Sequence, residues 1–374
     1  MKNFLVLPDS FKGTLSSIEV CEIMQNAIKK QYVDAKVRTI PVADGGEGTV
    51  EAFLKAMPGK KIYAEVTNPL GEKMKGYYAL LDDGTAIVEM AVCAGLPLIK
   101  DRLNPQKATT FGVGELILDA IEHKAKKIIL GLGGSATNDG GCGMAAALGV
   151  KFFDKQGQAF IPTGGTLLDI EQIDMTHLDE RIKQIDFESM CDVDNPLCGE
   201  CGASAIFGPQ KGATPEMVKY LDRGLAHLAT KIKQTIGVDV REIAGAGAAG
   251  GLGAGSVAFL NSKLIKGIDV VLDVIDFKTL LETADMVFTG EGKFDNQSLR
   301  GKVVMGIARH CKLQNVPVIV VTGAIGENIQ AAYEQGVTAI FSINNSPLAF
   351  AEAAPKSKEN MQLIMDNILR VLKL

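Results

Sequence analysis

The stretch Pro317-Val-Ile-Val-Val321 decides the fold, because a short apolar run that is followed by a helix is typical of a buried parallel strand. Similar runs stand before and after it, at residues 285–289 and 338–343. Segments with helical spacing follow these runs, near residues 302–311, 327–335 and 360–372. Strands that alternate with helices in this way indicate a parallel sheet with helices packed on it.

The beginning of the chain shows the same alternation. An apolar run at residues 4–7 predicts a strand, and Ser16-Ser-Ile-Glu19 is a capping box that predicts the start of a helix. A second strand is expected at residues 37–42, with a helix after Ala43-Asp-Gly-Gly-Glu-Gly48. Two strands from the start and three from the end make five, the number in a flavodoxin-like, Rossmann-like doubly wound parallel sheet. We therefore predict an α/β protein whose two termini build one domain.

The middle of the chain predicts a second α/β domain with a mixed sheet, inserted into the first. Its first strands are expected at residues 62–66, 76–81 and 86–90, and Asp82-Asp-Gly84 between the last two is a hairpin signal. Further strands are expected at residues 127–132 and 149–154, and helices at residues 109–123, 140–148 and 214–236. The predicted domains are residues 1–62 plus 266–374, Rossmann-like, and residues 63–265, inserted.

The composition excludes several classes of protein. The chain has 374 residues, a net charge of −5, no tryptophan and 6% aromatic residues, which argues against nucleic-acid and anionic-membrane partners. The first apolar run is too short for a signal peptide, and the longest uncharged stretch, residues 243–262, is mostly Gly and Ala. Seven cysteines are an odd number, and Cys198-Gly-Glu-Cys201 lacks the second pair of a zinc ribbon. We expect free thiols and a cytoplasmic protein, either a monomer or a homodimer.

Glycine is abundant, with 41 residues, and much of it is clustered. The cluster Gly131-Leu-Gly-Gly-Ser-Ala-Thr-Asn-Asp-Gly-Gly141 follows a predicted strand and opens a predicted helix, where backbone N–H groups favour an anion. A tight turn capped by Asn138 or Asp139 is the alternative. Two glycine pairs with polar residues between them exceed what capping needs, so we predict phosphate or nucleotide binding. The residues predicted for it are Gly133, Gly134, Ser135, Thr137, Asn138 and Asp139.

Another cluster, Gly245-Ala-Gly-Ala-Ala-Gly250, matches the dinucleotide-binding string GxGxxG. Such a site needs a clean strand before it, but Asp239-Val-Arg-Glu-Ile243 is short and charged. We therefore predict a helix of small residues that packs closely against a neighbour.

Charged residues recur beside glycine where the predicted strands end, which is where doubly wound sheets bind ligands. Predicted loops at these strand ends include Gly290-Glu-Gly-Lys-Phe-Asp295, which is charged, and Gly323-Ala-Ile-Gly326, which is not. The Asp-x-Asp pair of Asp192 and Asp194 suits Mg²⁺ with a bridging phosphate, and a turn rich in aspartate is the alternative. Cations in or beside glycine loops are Lys12, Lys211, Lys293, Arg300 and Lys302. The candidate catalytic residues are Lys12, Asp44, Asp192, Lys293 and Asp295, and the candidates for substrate contact or support are Ser10, Glu47, Glu291, Ser298 and Arg300.

Phosphate-compatible loops together with carboxylates point to phosphoryl transfer, and the motifs resemble those of bacterial glycerate kinases that make 2-phosphoglycerate. The matching segments run in family order over nearly the whole chain. They are Asp9-Ser-Phe-Lys-Gly13, Pro41-Val-Ala-Asp-Gly-Gly-Glu-Gly-Thr49, Thr109-Thr-Phe-Gly112, Gly131 to Gly141, Cys191-Asp-Val-Asp-Asn-Pro-Leu197, Phe207-Gly-Pro-Gln-Lys-Gly-Ala213, Gly245-Ala-Gly-Ala-Ala-Gly-Gly-Leu-Gly253, and Thr289-Gly-Glu-Gly292 with Asp295-Asn-Gln-Ser298. The resemblance implies ATP-dependent phosphorylation of D-glycerate at the 2-hydroxyl, with a flavodoxin-type domain and an inserted α/β domain.

On this hypothesis Mg²⁺ and ATP bind in a cleft between the two domains. One aspartate among Asp44, Asp192 and Asp295 orients or deprotonates the attacking hydroxyl. Lys12 and Lys293 neutralise phosphate or the glycerate carboxylate. Two alternatives are a nicotinamide-dependent oxidoreductase of a small hydroxy acid, which would use residues 245–250, and a non-catalytic protein that binds an organic acid.

Overall fold

The computed structural model describes residues 2–11, 13–43, 45–296, 298–300 and 303–373. Two candidate catalytic residues, Lys12 and Asp44, lie outside these described residues. The chain divides into two compact units. Unit 1 comprises residues 1–44, 51–57 and 266–374, and unit 2 comprises residues 45–50 and 58–265.

Strands and helices are named in chain order. Among the described residues, the strands are β1 (Asn3–Pro8), β2 (Lys36–Thr39), β3 (Gly59–Thr67), β4 (Lys73–Leu81), β5 (Thr85–Glu89), β6 (Lys127–Gly131), β7 (Lys151–Phe153), β8 (Ala159–Phe160), β9 (Gln172–Asp174), β10 (Asp186–Met190), β11 (Lys263–Ile265), β12 (Met286–Phe294), β13 (Val318–Ile325) and β14 (Ala339–Ser342). The α-helices are α1 (Ser17–Gln31), α2 (Thr49–Ala56), α3 (Ala91–Ala94), α4 (Phe111–Glu122), α5 (Cys142–Ala147), α6 (Ala203–Phe207), α7 (Pro215–Ile236), α8 (Ala248–Leu260), α9 (Gly267–Val274), α10 (Phe277–Leu281), α11 (Val303–Leu313), α12 (Ala331–Glu334), α13 (Phe350–Ala353) and α14 (Ser357–Leu372).

Unit 1 contains a five-stranded parallel sheet in the order β14-β13-β12-β1-β2. Numbered within the sheet along the chain, this order is 2-1-3-4-5, as in flavodoxin-like folds. The first two strands come from the start of the chain and the other three from its end. The prediction of a doubly wound sheet built from both termini is therefore confirmed.

Local signals establish the first crossover of unit 1. The Ser16 hydroxyl accepts a hydrogen bond from the N–H of Glu19 at 3.2 Å, and the Glu19 carboxylate accepts one from the N–H of Ser16 at 2.8 Å. This capping box starts α1, as the sequence predicts. The buried face of α1, with Val20 and Met24, packs in the same apolar cluster as Met361 of α14. Burial of this face holds both helices on the sheet.

Unit 2 contains a six-stranded mixed sheet in the order β11-β10-β6-β5-β4-β3. Strands β11, β10, β6 and β5 are parallel, whereas β4 is antiparallel to both β5 and β3. The β4–β5 hairpin turns at Gly84, whose φ is +91°, as the Asp-Asp-Gly signal predicts. Helix α4 places Val113, Leu116 and Ile117 in the core of this sheet. The predicted mixed α/β architecture is confirmed.

A smaller sheet, in the order β8-β7-β9, also belongs to unit 2. Phe152 of β7 shares an apolar cluster with Leu225 of α7 and Phe259 of α8. The sequence predicted one of these strands, at residues 149–154. The other two strands are only two and three residues long, too short to show alternation of apolar and polar residues.

The GxGxxG string lies at the start of α8, inside unit 2. Almost every residue of α8 is buried, and Ala249, Gly250 and Gly251 have positive φ within it. A Cβ added to Gly255 would lie 2.5 Å from the carbonyl oxygen of Gly140. The prediction of a close-packed helix of small residues is therefore confirmed.

Two segments that the sequence assigns to loops are strands in the structure. β12 continues through Gly290 to Phe294, and β13 continues through Gly323 to Ile325. Phe294 pairs with Ile325 in the parallel ladder and is fully buried. A Cβ added to Gly290 would lie 2.0 Å from the carbonyl oxygen of Val321, so these glycines serve close packing rather than a turn. The loops begin after these extended strands.

Across the described part of the chain, no helix combines the length and the apolar character that a membrane span requires.

Candidate active site

Three parallel strands of unit 2 end side by side. Glu89 at the end of β5 pairs with Gly131 of β6, and Gly131 pairs with Met190 at the end of β10. The segments that follow these strands therefore leave the sheet at one edge, and this is the edge at which parallel sheets bind ligands. We call Glu89, residues 131–134 and residues 191–194 the unit 2 edge.

The predicted loop that contains Glu47 lies on the unit 2 edge. The N–H of Gly133 donates to the carbonyl oxygen of Gly45 at 2.9 Å. A Cβ added to Gly133 would lie 2.4 Å from the Cα of Gly46, and one on Gly131 would lie 2.5 Å from the carbonyl oxygen of Gly45. Only glycine allows two backbones to approach this closely. Two of the glycine clusters seen in the sequence thus meet in space.

Glu89 binds the same segment through its side chain. Its carboxylate accepts hydrogen bonds from the N–H groups of Gly48 and Val50, each at 3.3 Å. Helix α2 begins at Thr49, and a carboxylate there satisfies N–H groups that have no partner within the helix. Glu89 was not among the residues predicted from the sequence. The sequence offered one signal for it: Glu89 is the single charged residue of the run that forms β5, and it stands at the end of that buried strand.

The polar side chains predicted to bind phosphate lie inside unit 2. Ser135, Thr137 and Asn138 are buried. Ser135 Oγ accepts a hydrogen bond from the N–H of Thr137 at 3.1 Å, and Asn138 Nδ2 donates to Ser204 Oγ at 3.1 Å. In contrast, Gly134 is exposed and Gly133 is half-buried. Within this loop, the backbone of the two glycines is the part that reaches solvent.

Asp139 is fully buried and holds the end of the loop. Its Oδ2 accepts hydrogen bonds from the N–H and hydroxyl of Thr110, at 2.7 and 2.8 Å, and from the N–H of Gly143 at 3.2 Å. Its Oδ1 accepts one from the N–H of Gly141 at 3.2 Å. Burial raises the pKa of Asp139, and these hydrogen bonds oppose the shift. Asp139 thus joins its loop to the starts of α4 and α5.

Lys211 lies buried beside the same loop, with 2% of its surface exposed. Its ε-amino group donates to the carbonyl oxygen of Thr137 at 2.6 Å and to Ser135 Oγ at 3.3 Å. Burial lowers the pKa of Lys211 to about 7, and the charge of Asp139 opposes this by a smaller amount. From the sequence, Lys211 was a cation next to a glycine, within the family-like segment Phe207-Gly-Pro-Gln-Lys-Gly-Ala213.

Asp192 and Asp194 are exposed and follow β10 on the unit 2 edge. Their segment is anchored by Cys191, whose N–H donates to the carbonyl oxygen of Ile265 at 2.8 Å. Carboxylate oxygens are donors that suit Mg²⁺. Within the described ranges, no group of three His, Cys, Asp or Glu side chains is placed to hold a metal ion. The two exposed aspartates, as oxygen donors, fit a Mg²⁺ that takes its other ligands from phosphate and water.

A second group of predicted residues lies in unit 1, where the strand order reverses between β1 and β12. Pro8 pairs with Gly290, and the N–H of Asp9 donates to the carbonyl oxygen of Gly290 at 2.8 Å. Ser10 follows, with its N–H donating to Asp9 Oδ1 at 2.6 Å. Flavodoxin-like sheets bind ligands at this switch point.

Lys293, Asp295 and Ser298 come together at the end of β12. The Lys293 ammonium lies 3.0 Å from the Asp295 carboxylate, and their side chains are 65% and 25% exposed. Ser298 is buried, and its Oγ accepts a hydrogen bond from the N–H of Asp295 at 3.1 Å. Glu291 is buried within β12, and Arg300 ends the short 3₁₀ turn Ser298–Arg300. Lys293 and Asp295 thus form an accessible charged pair.

The structure therefore distributes the predicted residues over the two units. Unit 2 carries Glu47, Gly133, Gly134, Asp192 and Asp194 at or next to one sheet edge, with Ser135, Thr137, Asn138 and Asp139 behind it. Unit 1 carries the predicted residues Ser10, Glu291, Lys293, Asp295, Ser298 and Arg300.

The chain is similar to known proteins along almost all of its length. A model of the glycerate kinase family matches residues 4–373. A glycerate kinase of Bacillus cereus is 45% identical over 372 residues, which are 99% of this chain and 98% of the relative. The glycerate 2-kinase of Escherichia coli is 42% identical over 370 residues, which are 98% and 97% of the two chains. A crystal structure described as a glycerate kinase 2 from Salmonella typhimurium LT2 has a TM-score of 0.88 and 41% identity, covering 100% of this chain and 98% of that one.

Proposed function

Because the chain belongs to the glycerate kinase family, we propose that it transfers the γ-phosphoryl group of ATP to D-glycerate and releases ADP. The observation that carries this proposal is the family match over residues 4–373. The two groups of glycine-flanked charged residues, at the ends of parallel strands in each unit, are consistent with it.

We propose the 2-hydroxyl of glycerate as the acceptor, so that the product is 2-phosphoglycerate. The support is the similarity to a relative named glycerate 2-kinase, at 42% identity. Enolase supplied without a mutase distinguishes the products, because it accepts 2-phosphoglycerate and not the 3-isomer. Dehydration of the product by enolase alone is the expected result, and no dehydration would assign the transfer to the other hydroxyl.

The hydroxyl oxygen forms a bond to the γ-phosphorus while the bond from that phosphorus to the β–γ bridging oxygen breaks, and the hydroxyl proton passes to a carboxylate. The candidates for this carboxylate are Asp44, Asp192 and Asp295. We propose that Lys12 and Lys293 neutralise phosphate or the glycerate carboxylate. Lys293 is exposed enough to exchange its partner Asp295 for a ligand anion.

We propose that Mg²⁺ accompanies ATP, held by Asp192 and Asp194. Mg²⁺ bound to a nucleotide keeps several waters and takes one or two carboxylates from the protein, and two exposed aspartates fit that demand. Bound in this way, the ion neutralises charge on the phosphates. The N–H of Gly133 donates to Gly45, so the exposed backbone at Gly134 supplies the proposed phosphate contact of this loop.

The proposal is tested with the purified full-length chain, Mg²⁺, ATP and a panel of small hydroxy acids, with ADP release as the readout. ADP release that depends on D-glycerate is expected. If no hydroxy acid elicits ADP release, the kinase proposal fails. A fluorescence change on addition of NAD(H) would then favour the oxidoreductase, and binding of glycerate without ATP consumption would favour the non-catalytic binding protein.

The remaining expectations stay predictions. They are the domain boundaries at residues 62/63 and 265/266, the cytoplasmic location, the lack of nucleic-acid partners, the choice between monomer and homodimer, and the supporting roles of Ser10, Glu47, Glu291, Ser298 and Arg300.

A further inference from the structure

Lys211 belongs to the segment Phe207-Gly-Pro-Gln-Lys-Gly-Ala213, to which the proposed reaction assigns no role. It ends a short 3₁₀ turn, Pro209–Lys211, and its side chain runs into the interior of unit 2. Its two hydrogen-bond acceptors belong to one loop, at Thr137 and Ser135. The same loop carries Gly134, the exposed glycine of this loop on the unit 2 edge.

Lys211 holds the loop through one hydrogen bond to the backbone and one to a side chain. The bond to the Thr137 carbonyl oxygen, at 2.6 Å, holds the backbone directly. The bond to Ser135 Oγ, at 3.3 Å, holds a hydroxyl that itself accepts the N–H of Thr137 at 3.1 Å and lies 3.0 Å from Thr137 Oγ1. A single amino group therefore restricts the three residues next to Gly134.

A buried lysine is a costly way to fix a loop. Removing a charge from water costs free energy, and a neutral side chain would provide hydrogen bonds without that cost. The negative charge of Asp139 acts on Lys211, and Asp139 is itself held by four hydrogen bonds from Thr110, Gly141 and Gly143. Lys211 is therefore the basic member of a buried network whose exposed end is the backbone of Gly134.

We propose that Lys211 is a positioning residue for the nucleotide: it holds the loop at residues 133–137 in the conformation that binds a phosphate of ATP, and the bound phosphate, being an anion, favours the charged ammonium form of Lys211 behind it. This inference rests on the proposed phosphate contact of Gly134. It deepens that role, because a charge behind a backbone anion site strengthens binding of the anion in a region of low dielectric.

The experiment compares wild type with Lys211→Met and Lys211→Gln. Met keeps the linear shape but removes the donors and the charge, whereas Gln keeps N–H donors without the charge. Ser262→Ala is the matched control, because it removes a different buried hydrogen bond of unit 2, the one between Ser262 Oγ and Ser189 Oγ at 2.8 Å. For each protein we measure the melting temperature, KM for ATP and for D-glycerate, and direct binding of a non-hydrolysable ATP analogue.

We expect Lys211→Met to raise KM for ATP and to weaken analogue binding by about 10-fold or more, the scale of one charged hydrogen bond. KM for D-glycerate should change less than about 2-fold in Lys211→Met. Lys211→Gln should also weaken nucleotide binding, but its melting temperature should lie closer to that of wild type. Ser262→Ala should lower the melting temperature and leave both KM values unchanged.

The proposal is overturned if Lys211→Met binds the analogue as wild type does, or if it changes KM for glycerate instead. Its failure is distinguishable from failure of the kinase proposal. Wild type that binds the analogue but releases no ADP with any hydroxy acid would remove the reaction, and weaker analogue binding by Lys211→Met would still establish the positioning role.

Discussion

Asp139 shows how a single side chain in this protein acts by holding other groups in place. The sequence offered two interpretations of it, a phosphate contact and a cap at the start of a helix. In the structure it is fully buried and accepts hydrogen bonds from Gly141 and Gly143 at the start of α5 and from Thr110 before α4. These hydrogen bonds match the capping interpretation. They reach the starts of two helices, α4 and α5.

Replacing Asp139 by Asn should lower the free energy of unfolding by about 3 kcal/mol, because one acceptor oxygen becomes an amide that meets buried N–H donors. Urea denaturation followed by circular dichroism measures this. The control is Asp154→Asn, since Asp154 accepts two backbone hydrogen bonds in an exposed turn, and there a loss below about 1 kcal/mol is expected. Equal losses at the two positions would contradict the structural role of Asp139.

Asp192 and Asp295 are the described candidates for the base and belong to different units. Replacing either by Asn keeps the size of the side chain and removes its charge, so we expect turnover to fall by about 100-fold or more with the fold intact. Steady-state ADP release and circular dichroism are the measurements, with Asp154→Asn as the control. Near-normal turnover in both variants would remove the two residues from the catalytic set.

At the scale of elements, the unit 2 edge depends on backbone contact between two loops. Residues 45–50 lie against residues 131–133 through the hydrogen bond from Gly133 to Gly45 at 2.9 Å. The carboxylate of Glu89 fixes the other end of the segment at Gly48 and Val50. The position of Glu47 is thus set by glycines and a buried acid far from it in sequence.

Gly133→Ala should separate these loops, because the new Cβ would lie 2.4 Å from the Cα of Gly46. We expect turnover to fall by about 10-fold or more, since small displacements of positioning groups are costly in catalysis, and we expect lower stability. The control is Gly157→Ala, where φ is +74° and no atom lies within 4 Å. There we expect only the cost of the left-handed backbone, about 1 kcal/mol, and unchanged turnover. Normal turnover of Gly133→Ala would show that the contact is dispensable.

At the scale of the whole molecule, the buried Lys211 makes stability depend on pH. Its pKa falls from 10.5 in the unfolded chain to about 7 in the folded chain. Without a bound nucleotide, the unfolded chain between these values binds a proton that the folded chain does not, so this group increases the free energy of unfolding as the pH rises from 7 toward 10.5. The slope from one such group is at most about 1.4 kcal/mol per pH unit.

Comparing wild type with Lys211→Met isolates this effect, because all other titrating groups are shared. Urea unfolding at pH 7 and pH 9.5 should show wild type gaining stability relative to the variant at the higher pH. Parallel changes in the two proteins would mean that Lys211 is charged throughout this range, contrary to the lowered pKa.

Much of the fold could be predicted because its signals are local. The capping box at Ser16 and the apolar runs that became β1, β12 and β13 involve residues close together in the chain. The ends of β12 and β13 could not be predicted, since glycine suggests a turn. There the pairing of Phe294 with Ile325 and the burial of Phe294 outweigh the local preference.

The candidate site could be predicted in part. The residue types and glycine-rich segments selected Asp192, Lys293 and the loop at residues 131–141. Which groups face solvent could not be read from the same segment, because Gly134 is exposed whereas Thr137, three residues later, is buried. Burial depends on what packs against each residue, and that comes from distant parts of the chain.

The sequence by itself determined the strand alternation, the split of the parallel sheet between the two ends of the chain and the family to which the protein belongs. These depend on local preferences and on the order of motifs, both of which a linear chain records. Only the tertiary structure decided that Glu89 holds Gly48 and Val50 and that Lys211 is buried against Thr137. These contacts join residues 39 to 74 positions apart. The free energy of such a contact depends on desolvation and on the distance between the groups, and no short stretch of sequence encodes either.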